Sequence, residues 1–400
     1  MSAPPEPQRA IDGIICFGGE DWWYHNRGHY DMQMMREMSH RLPVLYINSI
    51  GMRVPRLGEG RMFLTRVRRK LKSLRRGLVE ARPNFHVFSP TVLPGKMGMR
   101  ASRRIMVKQI RRIAAQLGMK NPLLWVACPP GVEVLDQIGP SALVYQRTDR
   151  FESFANVNRA VIEAYDRRLK SEADVTLYCS SSLFEEERDG CRSVAFVDHG
   201  VDYDAFSKAG MHPVDPDDVA QLPRPRVGFV GGIDVHTFDP PLFVEVVKLL
   251  PDVTFVLVGG CSLPEDWCPA ENVHLLGQRP YESVPAYMAS CDVLIMPWNK
   301  SEWIKACNPI KLKEYLAVGR GVVTSWFDEL RNGYEDLVTV APDAASFAAA
   351  IRELLVNPPD SARLRARVAD ETWRKKADRV VEELAARGIH IPEYSRHEQS

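Results

Sequence analysis

Three features of this sequence predict an α/β protein of two domains. Its 400 residues exceed what one hydrophobic core usually holds, so two domains of about 200 residues each are the starting expectation. Short apolar runs of strand length alternate with helical segments in both halves, and several end in a glycine pair, as buried parallel strands entering tight loops do. Between the halves, residues 204–225 turn to Asp, Pro, Ala and Gly without a sustained period, which reads as a linker. The expected organisation is therefore a first domain over 1–203, a linker over 204–225, a second domain over 226–385 and a tail over 386–400.

Composition narrows the class. Hydrophobic residues make up 45% and charged residues 26% of the chain, values of a soluble globular protein. There is no run of 18 apolar residues to span a bilayer, and Met1 to Ala10 lacks the apolar core of a signal peptide, so a cytoplasmic location is expected. Eight scattered cysteines without a Cys-x-x-Cys pair argue against structural zinc or a disulfide framework. The net charge of +1 conceals an asymmetry, because Arg53 to Arg112 carries 18 Lys or Arg against two acids and the remainder is correspondingly acidic. One half of the protein should present a cationic surface.

The first strand is read at Ile11 to Phe17, followed by Gly18-Gly19 and a loop, Glu20 to Gly28, dense in aromatic and polar groups. Loops at the carboxyl ends of parallel strands line the ligand crevice of a doubly wound sheet. Trp22, Trp23 and Tyr24 are placed to stack on a sugar or cover an aglycone, and Asp21, His25 or Asn26 to bind hydroxyls; the other reading is that the tryptophans belong to the core. A helix from His29 to Arg41 and a strand from Val44 to Asn48 follow. From Arg61 to Leu78, apolar residues recur at helical spacing while Arg66, Arg68, Arg69, Lys70, Lys72, Arg75 and Arg76 fill the other side. Such a basic amphipathic helix can lie on an anionic bilayer, each cation near the surface contributing roughly 1 kcal/mol. The alternative is a solvated face whose apolar stripe packs on its own domain. Nucleic acid is not expected as a partner, since neither a recognition motif nor interleaved aromatics accompany the charge. A second basic helix over Met99 to Leu117 would widen the patch.

Further strands are read at Leu123 to Ala127, Ala142 to Tyr145 and Val175 to Cys179, with a helix from Asn158 to Ser171. Asp149, just beyond the strand that begins at Ala142, points into the crevice in a sheet of this kind. In the second half, strands are read at Arg226 to Val230, Val253 to Val258 and Val293 to Met296, and helices over Ala345 to Leu355 and Ser361 to Ala386. Gly231 and Gly232 let the backbone approach a diphosphate closely. Asn308 to Val323 then reads as a loop, a helix from Ile310 to Val318 and a strand. Pro309 suits the first turn of that helix and Gly319 the left-handed position beyond its end. The free N–H groups of the first turn and Lys311 together suit a phosphate, and Glu314, one turn on, suits the diol of a ribose. An ordinary surface pair of Lys311 and Glu314 is the bland alternative.

Lys311-Leu312-Lys313-Glu314-Tyr315-Leu316-Ala317, with Gly319 and Val322-Val323 behind it, resembles the nucleotide-sugar signature of GT-B glycosyltransferases, bacterial families 1 and 4 in particular. Gly277 to Tyr281, Val284 to Met288 and Cys291 to Trp298 are similar to the preceding part of the same domain. The resemblance implies a GT-B fold, two Rossmann-like doubly wound domains facing across a cleft, with Glu314 on the donor ribose. It is loosely extended by Tyr145-x-x-x-Asp149, which looks like the corresponding loop of the xanthan-type glucuronosyltransferase family, whose Asp is the catalytic base. By that resemblance Asp149 is the candidate base; an N-cap of the following helix is the other reading. His199-Gly200-Val201-Asp202 resembles the element that closes the first domain in many members, where His199 would reach the donor or form a structural turn. The region Glu371 to Trp373 resembles the closing helix that crosses back to the first domain.

Retaining members often carry a Glu eight positions before the ribose-binding one, and here that position is Ala306. The departure tilts the expectation toward inversion through Asp149. A metal-independent hexosyl transfer is implied, with no cofactor beyond a nucleotide-sugar co-substrate, a UDP-sugar being favoured. The acceptor would be a lipid-linked sugar or glycan of envelope or exopolysaccharide synthesis, met by a peripheral protein at the inner face of the plasma membrane. A nucleotide-sugar epimerase or hydrolase of GT-B type and a non-catalytic GT-B scaffold subunit are the competing readings.

Overall fold

The computed structural model describes residues 8–24, 27–48, 68, 72–73, 75–90, 96–154 and 157–394. The chain forms two compact units. The first comprises residues 1–179, 183–198 and 376–400; the second comprises residues 180–182 and 199–375.

The first unit is built on β1 (Arg9–Ala10), β2 (Gly13–Phe17), β3 (Val44–Ile47), β4 (Leu78–Arg82), β5 (Phe85–Phe88), β6 (Pro122–Val126), β7 (Ala142–Arg147), β8 (Val175–Tyr178) and β9 (Val194–Phe196). Eight of these form a sheet in the order β4-β5-β3-β2-β6-β7-β8-β9, parallel except for the β4–β5 pair. Its central strands β2 and β3 are buried along their whole length, as apolar runs flanked by helices on both faces must be. The order reverses between β2 and β6, so the loops after these strands open at the switch point where doubly wound sheets bind ligands. Helices Tyr30–Met38, Lys96–Gln116 and Arg159–Glu172 fall where the sequence pattern predicts them, within a few residues.

The second unit contains β10 (Arg226–Val230), β11 (Thr254–Val258), β12 (Val273–Gly277), β13 (Val293–Met296), β14 (Gly321–Thr324) and β15 (Thr339–Val340), all parallel, in the order β12-β11-β10-β13-β14-β15. Its switch point lies between β10 and β13. Phe229, Phe238, Phe243, Trp298 and Tyr315 belong to one continuous core beneath that point. The helix Ile310–Val318 has the predicted bounds, and Gly319 closes it at φ +80°, a conformation glycine adopts without a Cβ penalty.

Two expectations of organisation differ from what is observed. Residues 204–225 are not an extended linker: they contain helices Tyr203–Met211 and Asp217–Ala220, whose Phe206 and Val219 are buried in the second core. A Cβ at Gly210 would lie 1.9 Å from the Val318 carbonyl oxygen, so glycine here permits close helix packing and not chain flexibility. The helix read over Ser361 to Ala386 is two, Ser361–Val368 and Trp373–Ala385, and residues from 376 onward belong to the first unit. There β16 (Ile389–His390) pairs with β1, which places both ends of the described chain in one unit.

Candidate functional site

In the second unit the predicted donor residues converge. The chain leaves β10 at Gly231, whose φ of +151° lies where L side chains are strained. A Cβ there would stand 2.8 Å from Lys311 Cε and 2.9 Å from Nζ, so a side chain at this position would displace the end of the lysine. Gly231 N–H donates to the Val258 carbonyl at 2.9 Å, and Gly259 packs directly on the Gly231 carbonyl. Gly232 follows, and Asp234 Oδ1 then accepts the N–H groups of His236 and Thr237 at 2.7 and 3.0 Å.

Pro309 precedes the Ile310–Val318 helix with extended backbone, and its carbonyl accepts from Leu312 N–H at 3.0 Å. The helix is pinned to the sheet because the Tyr315 hydroxyl accepts from Val230 N–H at 3.0 Å. Lys311 is half-buried, with Nζ 4.6 Å from the centre of the Trp298 ring. Burial lowers its pKa, against the opposing pull of Cys307, Glu314 and Asp234. Glu314 is 5% exposed and receives the Tyr281 hydroxyl at 3.3 Å. Burial is the largest influence on its carboxyl, which is pushed up to about 7 with a smaller contribution from Asp202, despite Lys311 and the Tyr281 hydrogen bond. A carboxylate so poorly solvated is poised to accept two hydroxyl hydrogen bonds.

His199 joins this unit through a residue the sequence reading passed over. Lys313 is buried; its Nζ donates to the His199 carbonyl at 2.6 Å and meets Glu371 Oε2 at 3.1 Å. Val201 N–H donates to the Glu371 carbonyl at 2.8 Å, Gly200 abuts Trp373, and the His199 ring meets Trp373 edge-on at 6.2 Å. Asp202, Tyr281, Trp298 and Lys313 thus complete the neighbourhood. Of these, the Lys-x-Lys spacing was the readable signal for Lys313, since residues two apart on a helix cannot share one face.

In the first unit Asp149 is half-buried just beyond β7. Its pKa is raised chiefly by burial and further by Glu20, while a hydrogen bond from Thr148 and the charges of Arg147 and His29 oppose the rise. It caps no helix, because Asn158 caps Arg159–Glu172 by accepting from Val161 N–H. Glu20 and His29 bring the loop after β2 close to Asp149, as expected of adjoining carboxyl-end loops.

That loop departs from its predicted role. Trp22 is 6% exposed and packs on Phe85 and Tyr46 at ring separations of 4.6 and 5.8 Å, so it is a core residue and not a stacking platform. Its N–H donates to Asn48 Oδ1, which locks the loop inward. Trp23 is half-buried beneath the Arg76 guanidinium, 4.3 Å from the ring centre. Asp21 accepts from Trp23 N–H at 2.9 Å and from Ser73 Oγ at 3.2 Å, so both its oxygens are engaged within the protein. His25 lies outside the described residues.

Of the predicted membrane-facing cations, Arg68, Lys72, Arg75 and Arg76 are exposed, while Arg69 and most of the apolar stripe lie outside the described residues. Residues 68, 72–73 and 75–76 are helical, and after Gly77 the chain enters β4. Among the described residues no helix is long and apolar enough to cross a membrane.

Residues 224–357 match the family described as Glycosyl transferases group 1. A protein of Bacillus subtilis (strain 168), named as teichuronic acid biosynthesis glycosyltransferase TuaH, is 32% identical over 184 residues, 44% of this chain and 46% of that protein. The match thus spans about half the length of that curated relative. Among solved structures, sucrose-phosphate synthase from Thermosynechococcus elongatus is similar with a TM-score of 0.66 at 16% identity, over 94% of this chain and 99% of that one. Anabaena Alr3699/HepE, solved with UDP and glucose, is similar with a TM-score of 0.63 at 15% identity, over 94% and 100%. The UDP-forming trehalose-phosphate synthase of Burkholderia vietnamiensis gives 0.62 at 14%, over 95% and 99%. Residues 224–357 thus match a glycosyl transferases group 1 domain, and the two parallel-sheet units share the GT-B fold of these solved structures.

Proposed function

We propose that the protein is a glycosyltransferase that moves a sugar from a UDP-sugar to a membrane-associated lipid-linked or polysaccharide acceptor in envelope or exopolysaccharide synthesis. The observation that carries this reading is the convergence of a bare Gly231 backbone, the Lys311 cation and the buried Glu314 carboxyl at one end of the second sheet. The helix N-terminus and Lys311 would hold the diphosphate, and Glu314 the ribose hydroxyls. The UDP bound to the Anabaena protein supports the donor, and the teichuronic acid synthesis for which the Bacillus relative is named supports the acceptor class.

Asp149 would take the proton of the attacking acceptor hydroxyl as it displaces the diphosphate with inversion. A carboxyl raised by burial is a better proton acceptor than an ordinary aspartate, and Asn158 already fills the capping role that competes with this assignment. The leaving diphosphate would be stabilised by Lys311 and the helix end without a metal. Turnover of a UDP-sugar panel, with and without a membrane extract as acceptor source, tests the reading. Acceptor-dependent UDP release that Asp149→Asn abolishes supports it; release independent of acceptor would instead indicate an epimerase or hydrolase.

The exposed cations Arg68, Lys72, Arg75 and Arg76 support a cytoplasmic, peripheral location at an anionic membrane face. Replacing all four with Glu should release the protein from phosphatidylglycerol vesicles, and unchanged sedimentation with them would refute this part.

A further inference from the structure

We propose that Arg147 is a positioning residue for Asp149: its guanidinium, gripped by Glu152 and Glu187, clamps the turn from Arg147 to Glu152 that carries the carboxylate. The proposal rests on the reading of Asp149 as the base but makes a structural claim that is tested separately. Arg147 ends β7 and is 1% exposed. Its Nη1 and Nη2 donate to the two oxygens of Glu152 at 3.0 and 3.1 Å, and its Nε and Nη2 donate to the two oxygens of Glu187 at 3.1 and 2.9 Å. One planar fork therefore makes two bidentate grips, which a lysine ammonium cannot reproduce.

The grips are themselves anchored. Lys170 Nζ lies 2.6 Å from Asp166 and 2.8 Å from Glu187, the Tyr145 hydroxyl donates to Asp166 at 2.7 Å, and the Tyr178 hydroxyl donates to Glu187 at 3.0 Å. Although burial favours the neutral acid, the bonds from Arg147 and Lys170 hold Glu187 down at about 2. The turn is thus fastened at its start by Arg147 and at its end by Glu152, and inside it Phe151 N–H donates to the Asp149 carbonyl at 2.9 Å. Burying five ionisable groups is costly, and well-packed apolar residues often serve stability as well or better. Fixing the direction of one carboxylate is something apolar packing does not supply.

Arg147 lowers the Asp149 carboxyl, but by less than burial raises it. Arg147 and Lys170 face three carboxylates, Glu152, Asp166 and Glu187, which limits the pull that Arg147 exerts on Asp149. The groups acting on Asp149 are then Thr148, Arg147, His29 and Glu20, with burial dominant.

The test is a carboxyl-carbon NMR titration of the full chain labelled at aspartate Cγ, with the Asp149 signal assigned by its loss in Asp149→Asn. Arg147→Lys keeps the charge and loses the fork, so Asp149 should pass from one narrow resonance to a broadened or multiple one. Arg147→Met removes the cation, so its titration should move to higher pH. Should either variant fail to fold, Glu152→Gln, which releases the far end of the turn, should give the same broadening. An Asp149 resonance unchanged in width and midpoint in a folded variant overturns the clamp. Full turnover by Asp149→Asn would remove the base itself, a separate failure read from activity and not from the spectrum.

Discussion

A glycine pair ends the first strand of each sheet, and the two pairs do opposite things. After β10, the backbone at Gly231 lies against the Lys311 side chain and the Gly259 turn, with the buried Glu314 carboxyl on the same helix as that lysine. After β2, a Cβ at Gly18 would stand 2.1 Å from the Tyr46 phenol, Gly19 N–H donates to Asp31 Oδ2 at 2.8 Å, and the loop dives inward to bury Trp22. Both loops sit at a switch point. Glycine there signals close approach, but the sequence does not say to what: in one unit it is the Lys311 cation, in the other the ring of a core tyrosine.

The largest effect that separates the two loops is on stability. Trp22→Ala should cost about 3–5 kcal/mol, as truncating a buried aromatic does, whereas Trp23→Ala, on a half-buried ring, should cost far less; chemical denaturation of both variants measures this. Equal losses would mean that the inward fold of the loop is misassigned. Next comes chemistry. Asp149→Asn should lower kcat about 1000-fold, within the range general bases contribute, and leave UDP affinity unchanged in steady-state and titration measurements.

A smaller effect distinguishes the carboxyl beside the Gly231 loop. Glu314 titrates at about 7 in the folded protein against an ordinary glutamate value when unfolded. The folded state holds that proton more tightly, so the contribution is present at low pH and is lost as pH rises through 7. Thermal unfolding of Glu314→Gln should therefore match the natural protein near pH 5 and exceed it near pH 8. A pH-independent difference would contradict the burial argument.

How much of this was readable beforehand follows the physics of each signal. Strands β10 and β13 and the Ile310–Val318 helix have their predicted bounds because buried parallel strands are uninterrupted apolar runs and this helix carries Pro and Gly at its ends. Strand β4 went unread because its exposed residues Glu80, Ala81 and Arg82 carry no apolar run. The helices within 204–225 were hidden by Asp and Pro that serve as helix starts as readily as linkers. For the site, Lys311 and Glu314 were legible from spacing on one helix face. Asp202 and the Arg147 clamp were not, since partners such as Glu152 and Glu187, 5 and 40 residues from Arg147, are brought together only by folding.

The central claim is that a poorly solvated carboxylate receives the nucleoside sugar beside a backbone-and-lysine diphosphate site. Calorimetric titration of UDP into the natural protein and into Glu314→Ala tests it most directly. Losing two hydrogen bonds to a charged group should weaken UDP binding about 100-fold, with the unfolding transition intact. UDP binding that is undiminished in a folded Glu314→Ala protein would contradict the account.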